Sequence, residues 1–414
     1  MKEINMKKQK NSESGQALIL IVFAIIGLIG MTGLTVDGGI AFSDKRNAQN
    51  AADTAALAAG RMMIRANDWD VAQAAGFDLA ANNGYNNNGT TNIVQVVRPP
   101  IEGLYAGDDD YVQVLITSHV QTTFARVVGI TEMTNYVNAV AKVIPPTKVN
   151  MFEGNAVVGL SPDQCKAVKY QGNADTTLDG GGIYVNSDCP NTAFFNNSAA
   201  AELTAPSLCA VGGITYEPSA IDIPGDQIKT GCDAYDYPVP EYVMPLPECS
   251  GNATKTGSSM SPGNYSGAHF PPNGVTTLEP GVYCVDADFS LNGGDTLTGS
   301  NVIIYMVDGD VTWNGGATVN LSGPTSGPFK NLLLYIPYDN EATVRLNGNS
   351  GSTIEGTILA PASDITIDGT GDTGIEGQII GYTVDLSGTS SVNIHYDQNK
   401  NYEAETPPYL QLTE

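Results

Sequence analysis

Residues 354–379, IEGTILAPASDITIDGTGDTGIEGQI, contain the repeat that decides the fold of most of this chain. The pentapeptide Ile354–Ile358 recurs as Ile375–Ile379, 21 positions later. Farther out, apolar residues that precede Gly-, Asn- or Ser-containing turns recur at intervals of 22, 33, 21 and 19 residues: Leu291, Trp313, Leu346, Ile367 and Leu386. Short strands with tight corners at a period near twenty are typical of a β-solenoid, in which each coil stacks on the next.

This repeat predicts a mainly β, right-handed β-solenoid over residues 285–398. The run NLLLYIP at residues 331–337 has no alternation of apolar and polar residues, which predicts a buried edge of a coil. Residues 147–284 contain the cysteines, are also rich in short β patterns, and are expected to begin the solenoid. Residues 399–414 are assigned as a C-terminal tail.

The chain is strongly acidic, with a formal net charge of −25 over 414 residues. Residues 1–150 carry 12 basic and 13 acidic side chains, whereas residues 151–414 carry 7 basic and 31 acidic ones. The resulting charge of −24 on the C-terminal body repels phosphate backbones. Nucleic acid is therefore excluded as a partner.

Six cysteines are confined to one window of 120 residues: Cys165, Cys189, Cys209, Cys232, Cys249 and Cys284. An even number in one region predicts a disulfide framework, which forms in oxidising compartments. No pair has the C-x-x-C spacing, and the chain has only three histidines, which disfavours a zinc cluster. The sequence leaves the pairing open, and six unrelated buried thiols are the alternative.

Ala17–Val36 (ALILIVFAIIGLIGMTGLTV) is a stretch of twenty residues without a charge. At about 1.5 Å per residue, such a helix spans the ~30 Å hydrocarbon core of a bilayer. Four lysines precede the segment and Asp37 follows it, so the positive-inside rule places residues 1–16 in the cytoplasm. We expect a single-pass protein of the cytoplasmic membrane, with lipid around residues 17–36 and a periplasmic or extracellular body.

A cleaved secretory signal is the alternative interpretation of this segment. A signal has a shorter apolar core with a small-residue cleavage site close behind it, and neither feature is present here. Ile25 lies near mid-span, and three glycines at three-residue spacing, Gly27, Gly30 and Gly33, could let another helix approach closely.

Alanines continue the helical pattern beyond the apolar stretch. Ala41, Ala48 and Ala55 are seven residues apart, and Ala52 and Ala59 each follow four residues after one of them. Small side chains suit close packing, either onto a neighbouring protein through the 17–60 helix or onto the chain's own sheet. Three strands (91–97, 111–120 and 136–144) and a short Gly-closed helix within 122–129 are predicted next, before the linker at 145–146.

The N-terminal segment resembles TadE/TadG-like proteins of the tight-adherence (Flp/Tad) pilus-assembly system. The resemblance rests on Gly15-Gln16-Ala17, on Val36-Asp37, and on the block QNAADTAALA at residues 49–58. It implies a membrane-anchored envelope protein whose residues 37–146 form a pilin-like α+β module, with a long N-terminal helix on a small sheet. It also implies other pilus or envelope proteins as partners, and it carries over no catalytic residues.

The C-terminal body resembles extracellular β-helical modules, including the ice-binding-like solenoid family. The resemblance rests on LEPGVY at residues 278–283 and GTILA at residues 356–360, and it concerns the fold. Ice binding itself is disfavoured, because Thr353, Thr357 and Thr366 do not recur at one coil position.

Two Asp-x-Asp pairs are the candidate site residues of the body: Asp286, Asp288, Asp308 and Asp310. Such carboxylates predict Ca²⁺ as the one candidate ion, although the EF-hand spacing is absent. Asp308 and Asp310 also lie near Trp313, a combination that a carbohydrate-active β-helix could use. Serine nucleophile elbows, phosphate loops and HExxH are missing, so neither an enzyme nor an organic cofactor is expected.

Two function classes follow from these observations. The first is a non-enzymatic, membrane-anchored cell-envelope protein of a Tad-like pilus-assembly or adhesion system, which displays an acidic β-solenoid outside the cytoplasm. The alternative is an extracytoplasmic carbohydrate-binding or carbohydrate-active β-helix protein, with a surface polysaccharide as its partner.

Overall fold

The computed structural model describes residues 14–173, 175–197, 201–347, 349, 351–369, 373–388 and 391–413. The four lysines of the expected cytoplasmic tail lie outside these residues: Lys2, Lys7, Lys8 and Lys10. The chain divides into two compact units. The N-terminal unit comprises residues 1–146 together with 408–414, and the solenoid unit comprises residues 147–407.

Two helices form one layer of the N-terminal unit. Helix α1 (Ser14–Ala66) continues without a break from the apolar stretch into the alanine-rich segment. Asn67 follows it in the left-handed region (φ 48°). Asp68 then caps α2 (Trp69–Asn82), because its carboxylate accepts hydrogen bonds from the first-turn amides that have no partner within the helix.

An antiparallel sheet forms the other layer. Its strands are β1 (Asn92–Val97), β2 (Tyr111–Gln121) and β3 (Glu132–Ile144), and a 3₁₀ helix (Ala125–Val128) lies between β2 and β3. The alternation of more and less buried residues along β1 and β3 places one face of the sheet against the alanines of α1. The predicted long helix on a small sheet is confirmed.

The last residues of the chain complete this sheet. Tyr409–Thr413 forms a fourth strand, antiparallel to β3, with Ile144 opposite Tyr409 and Val140 opposite Thr413. A Cβ at Gly60 of α1 would lie 2.5 Å from Leu410 Cδ1, so a side chain there would displace that leucine of the strand. The interpretation of residues 399–414 as a tail is therefore wrong for Tyr409–Thr413. The strand was missed because five residues are too few to recognise without the pairing partner.

The solenoid unit winds its strands into three faces, whose neighbouring strands are parallel except for Lys255–Thr256, which is antiparallel to Ser259–Met260. Face A contains, in order along the stack, Ile228–Thr230, Leu208–Ala210, Ile183–Val185, Val157–Gly159, Ile379–Gly388, Thr357–Gly369, Leu332–Tyr335, Val302–Asp308, Gly281–Asp286 and Gly263–Tyr265. These ten neighbouring strands correspond to about ten turns over the described residues. The predicted β-solenoid is confirmed.

Face B carries the next strand of most coils: Ile221–Asp222, Leu203–Thr204, Thr176–Asp179, Val392–His395, Thr373–Glu376, Thr353–Glu355, Thr318–Ser322, Thr296–Gly299, Thr277–Leu278, Ser259–Met260 and Lys255–Thr256. Face C is shorter and shares the two long strands, which bend into it from face A: Ile214–Tyr216, Phe194–Asn196, Val168–Tyr170, Ile379–Gly388, Thr357–Gly369, Thr343–Leu346, Val311–Trp313 and Phe289–Leu291. A further antiparallel pair joins Lys148–Asn150 to Glu403–Glu405.

The sequence repeat fixes the register between coils. Ile354 lies opposite Ile375, and Ile358 lies opposite Ile379. The five residues that precede the turns form one stack on face C: Leu291, Trp313, Leu346, Ile367 and Leu386. All five are at most 3% exposed, so the repeat is a repeat of core positions.

The coils are not stacked in chain order. Val157–Gly159, the first strand of face A in the sequence, pairs with both Ile183–Val185 and Ile379–Gly388. Residues 157–230 therefore wind away from this junction in one direction, and residues 255–395 wind back toward it from the far end. The intervening residues 231–254 must travel along the stack.

Residues 231–254, which we call the strap, lie over the outside of face A. Val239 of the strap is 4% exposed and packs in a cluster with Leu332, Leu359 and Ile380 of that face. This covering explains why residues 332–336 of the NLLLYIP run are apolar without alternation: the strand Leu332–Tyr335 is buried beneath the strap as well as against the solenoid core.

Candidate membrane interface

The first half of α1 is apolar and uncovered. Thirteen of its large apolar residues between positions 18 and 36 are exposed: Leu18, Ile19, Leu20, Ile21, Val22, Phe23, Ile25, Ile26, Leu28, Ile29, Met31, Leu34 and Val36. Helix α1 is the one described helix that is long and apolar enough to cross a membrane, by the test of length and composition that core helices and signal sequences also pass. Since only 6% of its apolar window is buried, it is not a core helix.

Two of the three glycines of this segment have no neighbouring side chain or backbone beside them, and the third is in contact with a loop. A Cβ added at Gly27 or Gly30 would meet nothing within 4 Å. A Cβ added at Gly33 would lie 3.2 Å from Phe124 Cβ and 3.3 Å from the Ala125 amide nitrogen. At Gly33 the neighbour is therefore the chain's own loop between β2 and β3, and the approach of another helix to these glycines stays a prediction.

Asp37 lies directly after the apolar stretch and is buried, with 2% of its surface exposed. Its carboxylate accepts three backbone hydrogen bonds, from the amides of Ala125 at 2.6 Å, Phe124 at 2.9 Å and Thr123 at 3.0 Å. The Ala125 amide is the main cause of a pKa for Asp37 below its usual value, despite the opposing effect of burial. Asp37 therefore holds the loop against α1.

Asp44, seven residues later, makes a second attachment. Its carboxylate accepts hydrogen bonds from the Ser118 hydroxyl, from Asn135 Nδ2 at 2.8 Å and from the Tyr85 hydroxyl at 3.1 Å. The burial of the Tyr85 ring, together with the neighbouring Asp44 carboxylate, raises the pKa of that tyrosine. Two carboxylates one heptad apart thus join α1 to the sheet region.

The alanine stripe faces the chain's own sheet. Ala48, Ala52, Ala55 and Ala59 are completely buried in a cluster with strand residues such as Val114. Of the two packing partners that the sequence left open, the chain's own sheet is the one that the alanine stripe contacts. The exposed apolar residues of 17–36, followed by the exposed Ile40 and Phe42, remain open to lipid or to a partner.

All six cysteines are paired, and each bridge joins neighbouring coils or holds the strap. Cys165 pairs with Cys189 across adjacent coils. The other two bridges hold the strap at both ends: Cys209–Cys232 and Cys249–Cys284. Disulfides of this kind are typical of proteins outside the cytoplasm.

The four candidate calcium ligands lie at corners between faces A and C. Asp288 Oδ1 accepts a hydrogen bond from the Asp310 amide at 3.1 Å, and Asp310 Oδ1 accepts one from the Thr343 amide at 2.7 Å. Asp308 Oδ1 binds the Gly309 amide at 2.8 Å, and Asp286 is exposed. Among the described residues, no three His, Cys, Asp or Glu side chains are grouped closely enough to hold a metal ion. Calcium at these corners stays a prediction.

Trp313 does not lie beside these carboxylates as an aromatic platform. Its ring is 2% exposed and packs edge-on to Phe289, 5.4 Å away, inside the solenoid. The alternation of Val311, Thr312 and Trp313 along the strand directs the ring inward, so the predicted combination of Asp308, Asp310 and Trp313 is not formed.

An aromatic cleft, which the sequence did not indicate, lies where the strap crosses the corner between faces A and C. It has a volume of about 450 Å³ and is lined by Tyr237, Tyr338, Tyr382, Glu341 and Asp364. The ring of Tyr237 is 5.6 Å from that of Tyr338 and 5.3 Å from that of Tyr382. Burial of Tyr237 raises its pKa to about 12, so its hydroxyl is neutral at physiological pH.

A row on face B that is polar except for Gly374 was also not predicted from the sequence. Its members are aligned strand by strand over seven coils: Thr277, Thr298, Asn320, Thr353, Gly374, Asn393 and Thr177. From Thr298 to Asn393, the spacings in this row are the same as those of the core residues that precede the turns: 22, 33, 21 and 19. A search for polar residues at these intervals would therefore have found the row.

Together, these features define a class of protein: a helix-and-sheet unit with an uncovered apolar helix, joined to a disulfide-bonded β-solenoid. Residues 15–67 match the model of the TadE/G-like Flp pilus-assembly family, which confirms the resemblance seen in the N-terminal sequence. Residues 266–401 match a domain of unknown function (DUF7305). No curated protein matches the chain.

Among solved structures, the chain is similar to the competence-associated pilin ComZ from Thermus thermophilus. The two share 10% sequence identity over 79% of this chain and 89% of that one, with a TM-score of 0.26. A TM-score this low does not establish a common fold.

Proposed function

We propose that this chain is a non-enzymatic, membrane-anchored cell-envelope component of a Tad-like pilus-assembly or adhesion system. One observation carries the proposal: the segment that matches the TadE/G-like family, residues 15–67, is the helix whose first half is apolar and uncovered. Its second half is fixed to a sheet by buried alanines and by Asp44. A helix divided in this way is suited to hold a folded unit at a bilayer.

In this proposal the N-terminus is cytoplasmic, α1 crosses the membrane once, and the acidic solenoid lies outside the cytoplasm. Four lysines before the span and three disulfides after it support this orientation. A phosphatase reporter fused after Glu414 should be active, and a reporter that requires the cytoplasm should be inactive at the same position. Six free thiols in intact cells would contradict the orientation.

The anchor is tested by placing a charge near the middle of the span. Ile25→Arg should cost about 2.5–3.5 kcal/mol in membrane insertion, so the variant should shift toward the soluble fraction. Leu104→Arg is the matched control, because Leu104 is an equally apolar and more exposed residue outside the span. If Ile25→Arg fractionates with membranes as the parent does, the segment is not the anchor.

We further propose that other pilus or envelope proteins contact the uncovered face of residues 17–36. A photo-crosslinking residue at Phe23, which is 66% exposed, should capture a partner in the membrane. The same residue at Ala55, which is buried against the sheet, should capture nothing. Capture at both positions, or at neither, argues against a partner on this face.

Carbohydrate binding is the second candidate function, and the aromatic cleft at Tyr237, Tyr338 and Tyr382 favours it. Tyrosine rings beside carboxylates such as Glu341 and Asp364 offer sugars apolar faces to stack on and acceptors for their hydroxyls. On a glycan array the detergent-solubilised chain should bind a polysaccharide, and Tyr382→Ala should lose that binding. Tyr216→Ala, an exposed tyrosine outside the cleft, is the control. Equal binding by both variants would exclude the cleft.

A further inference from the structure

The loop between β2 and β3 carries exposed apolar side chains at its tip. Val127 and Val128 are 72% and 64% exposed, and Phe124 and Ile130 are exposed beside them. Four neighbouring apolar residues form a patch, whereas single exposed apolar residues need no explanation. The assigned roles of the loop, contact with Gly33 and attachment to Asp37, do not account for this tip.

The loop lies beside the apolar part of α1, at a depth that the helix geometry defines. Loop residues Phe124, Val128 and Ile130 line one groove together with Ile26 and Gly33 of α1. With a rise of about 1.5 Å per residue, Gly33 lies about 5 Å, and Ile26 about 15 Å, inside the Val36 end of the apolar stretch. The medium around the helix at these positions therefore also surrounds the loop.

Many backbone polar groups of the loop form hydrogen bonds within the protein and so do not need water. The amides of Thr123, Phe124 and Ala125 donate to Asp37, and those of Val127, Gly129 and Ile130 donate within the turn: to Phe124 O, Arg126 O and Ala125 O. The Thr122 hydroxyl donates to Ile130 O at 2.5 Å. Non-helical backbone is tolerated at membrane depth only when its polar groups are satisfied by the protein, and this loop meets that condition at these groups.

The charge pattern of the loop fits the same environment. Arg126 is the only charged residue in the sequence from Thr122 to Thr131. Its guanidinium turns back and donates to Gln121 Oε1, at the end of β2, at 3.3 Å. Long basic side chains at membrane boundaries place the charge toward the headgroups while their stems stay among apolar groups.

We propose that Phe124, Val127, Val128 and Ile130 insert into the acyl chains of the leaflet crossed by the Val36 end of α1. The N-terminal unit then has two membrane contacts, a spanning helix and a dipping loop, joined by the buried Asp37. The occupant is lipid because the groove opens onto the exposed apolar face of α1, from Ile26 to Leu34, without an intervening charge. This inference rests on the proposed anchoring of α1.

The test uses the full chain in phosphatidylcholine vesicles, with a single added cysteine labelled by an environment-sensitive fluorophore. All six native cysteines are in disulfides, so the added thiol reacts alone under non-reducing conditions. At Val127→Cys, lipids brominated on their acyl chains should quench most of the emission, and aqueous iodide should quench little. Leu104→Cys is the control, because Leu104 is an exposed apolar residue in another loop of the same unit. At this position, iodide should quench most of the emission and brominated lipid should quench little.

Ile25→Cys separates failure of the loop from failure of the anchor. If the Ile25 probe is quenched by brominated lipid and the Val127 probe by iodide, the anchor stands and the loop proposal is overturned. If the Ile25 probe is also reached by iodide, the anchor itself fails and the loop proposal fails with it. If the Val127 probe is shielded from both quenchers, a protein surface covers the loop, which also overturns lipid as its occupant.

Discussion

Asp37 joins parts of the N-terminal unit that are 86 to 88 residues apart in the sequence. A carboxylate that accepts three amides replaces the water that those amides would otherwise bind. Asp37→Asn keeps the size of the side chain, but it removes the charge and points a donor at other donors. We expect the loop to open more often in the detergent-solubilised chain, so that trypsin cleaves faster there after the exposed Arg126.

The matched control for this substitution is Asp53→Asn. Asp53 lies on the same helix and accepts a hydrogen bond from Gln49 Nε2 of that helix at 2.8 Å, without touching the loop. Its variant should be cleaved at the parental rate. Equal cleavage of the two variants would show that Asp37 does not hold the loop.

The same carboxylate makes the attachment of the loop dependent on pH. Because folding lowers the pKa of Asp37, its stabilisation is present above the pKa of the unfolded chain and is lost as the pH falls through the folded-state value. The loop should therefore stay protected at neutral pH and open only below about pH 4, the usual range for a carboxylate.

Gly33 and Gly27 differ in what lies beside them, although the sequence treats them alike. Gly33→Leu should push the loop away from α1, since even a Cβ there comes within 3.3 Å of the Ala125 amide nitrogen. Gly27→Leu should leave the loop in place because nothing lies within 4 Å of its added Cβ. Hydrogen–deuterium exchange of residues 122–131 should rise only in the Gly33 variant, and a rise in both would refute this packing.

The strap is the element that joins the two oppositely wound parts of the solenoid. Besides its two disulfides, Tyr235 donates its amide to Asn186 Oδ1 at 2.8 Å, and the Val243 amide donates to Glu405 O at 2.7 Å. Replacing both Cys209 and Cys232 by serine should lower the free energy of unfolding by about 3 kcal/mol, as expected for a loop of this length. The loss should be measured by denaturant unfolding under non-reducing conditions, with the parent that retains all three disulfides as reference.

Cys165 and Cys189 provide the comparison for this change. Their bridge joins two coils directly and does not touch the strap. Proteolysis within residues 231–254 should increase when Cys209 and Cys232 are replaced, but not when Cys165 and Cys189 are replaced. An increase in both variants would mean that the whole solenoid loosens, rather than the strap alone.

The effect of deleting a single coil can also be predicted. Thr296 lies opposite Thr318, so deletion of residues 296–317 removes one full turn and places Thr318 after Asp295. The shortened protein should fold, because each coil packs mainly on its neighbours. Deletion of residues 296–306, half of that turn, should prevent folding since later strands would then fall on the wrong face. Circular dichroism would compare the two, and loss of structure in both would refute the repeat.

The many negative charges of the solenoid unit repel one another. With a net charge of −24 over residues 151–414, its melting temperature should rise with ionic strength as salt screens this repulsion. If the corners that carry Asp286, Asp288, Asp308 and Asp310 also bind Ca²⁺, millimolar calcium should raise the melting temperature of the solubilised chain more than sodium chloride of the same ionic strength does. Asp286→Asn should then reduce the excess, and identical melting curves in both salts would rule calcium out.

The sequence predicted local features of the fold well and distant pairings poorly. Leu291, Trp313 and Leu346 stack as their spacing predicted, because a core position must recur with each coil. The pairing of Val157 with Ile379 and of Tyr409 with Ile144 could not be predicted, since short apolar strands fit many partners. The same limit applied to the membrane interface: the apolar span was visible in the sequence, whereas the contact of Phe124 with Gly33 needs the folded loop.

The position of the solenoid within the chain has an evolutionary consequence. The N-terminal sheet is left after Ile144 and re-entered at Tyr409, which lies opposite it. Within the solenoid unit, the entering and leaving residues are also neighbours, since the Thr147 amide donates to Thr406 Oγ1 at 3.0 Å. The body is therefore an inserted cassette with adjacent ends, and an ancestral anchor could acquire, lengthen or exchange such a cassette by recombination without redesigning its own sheet.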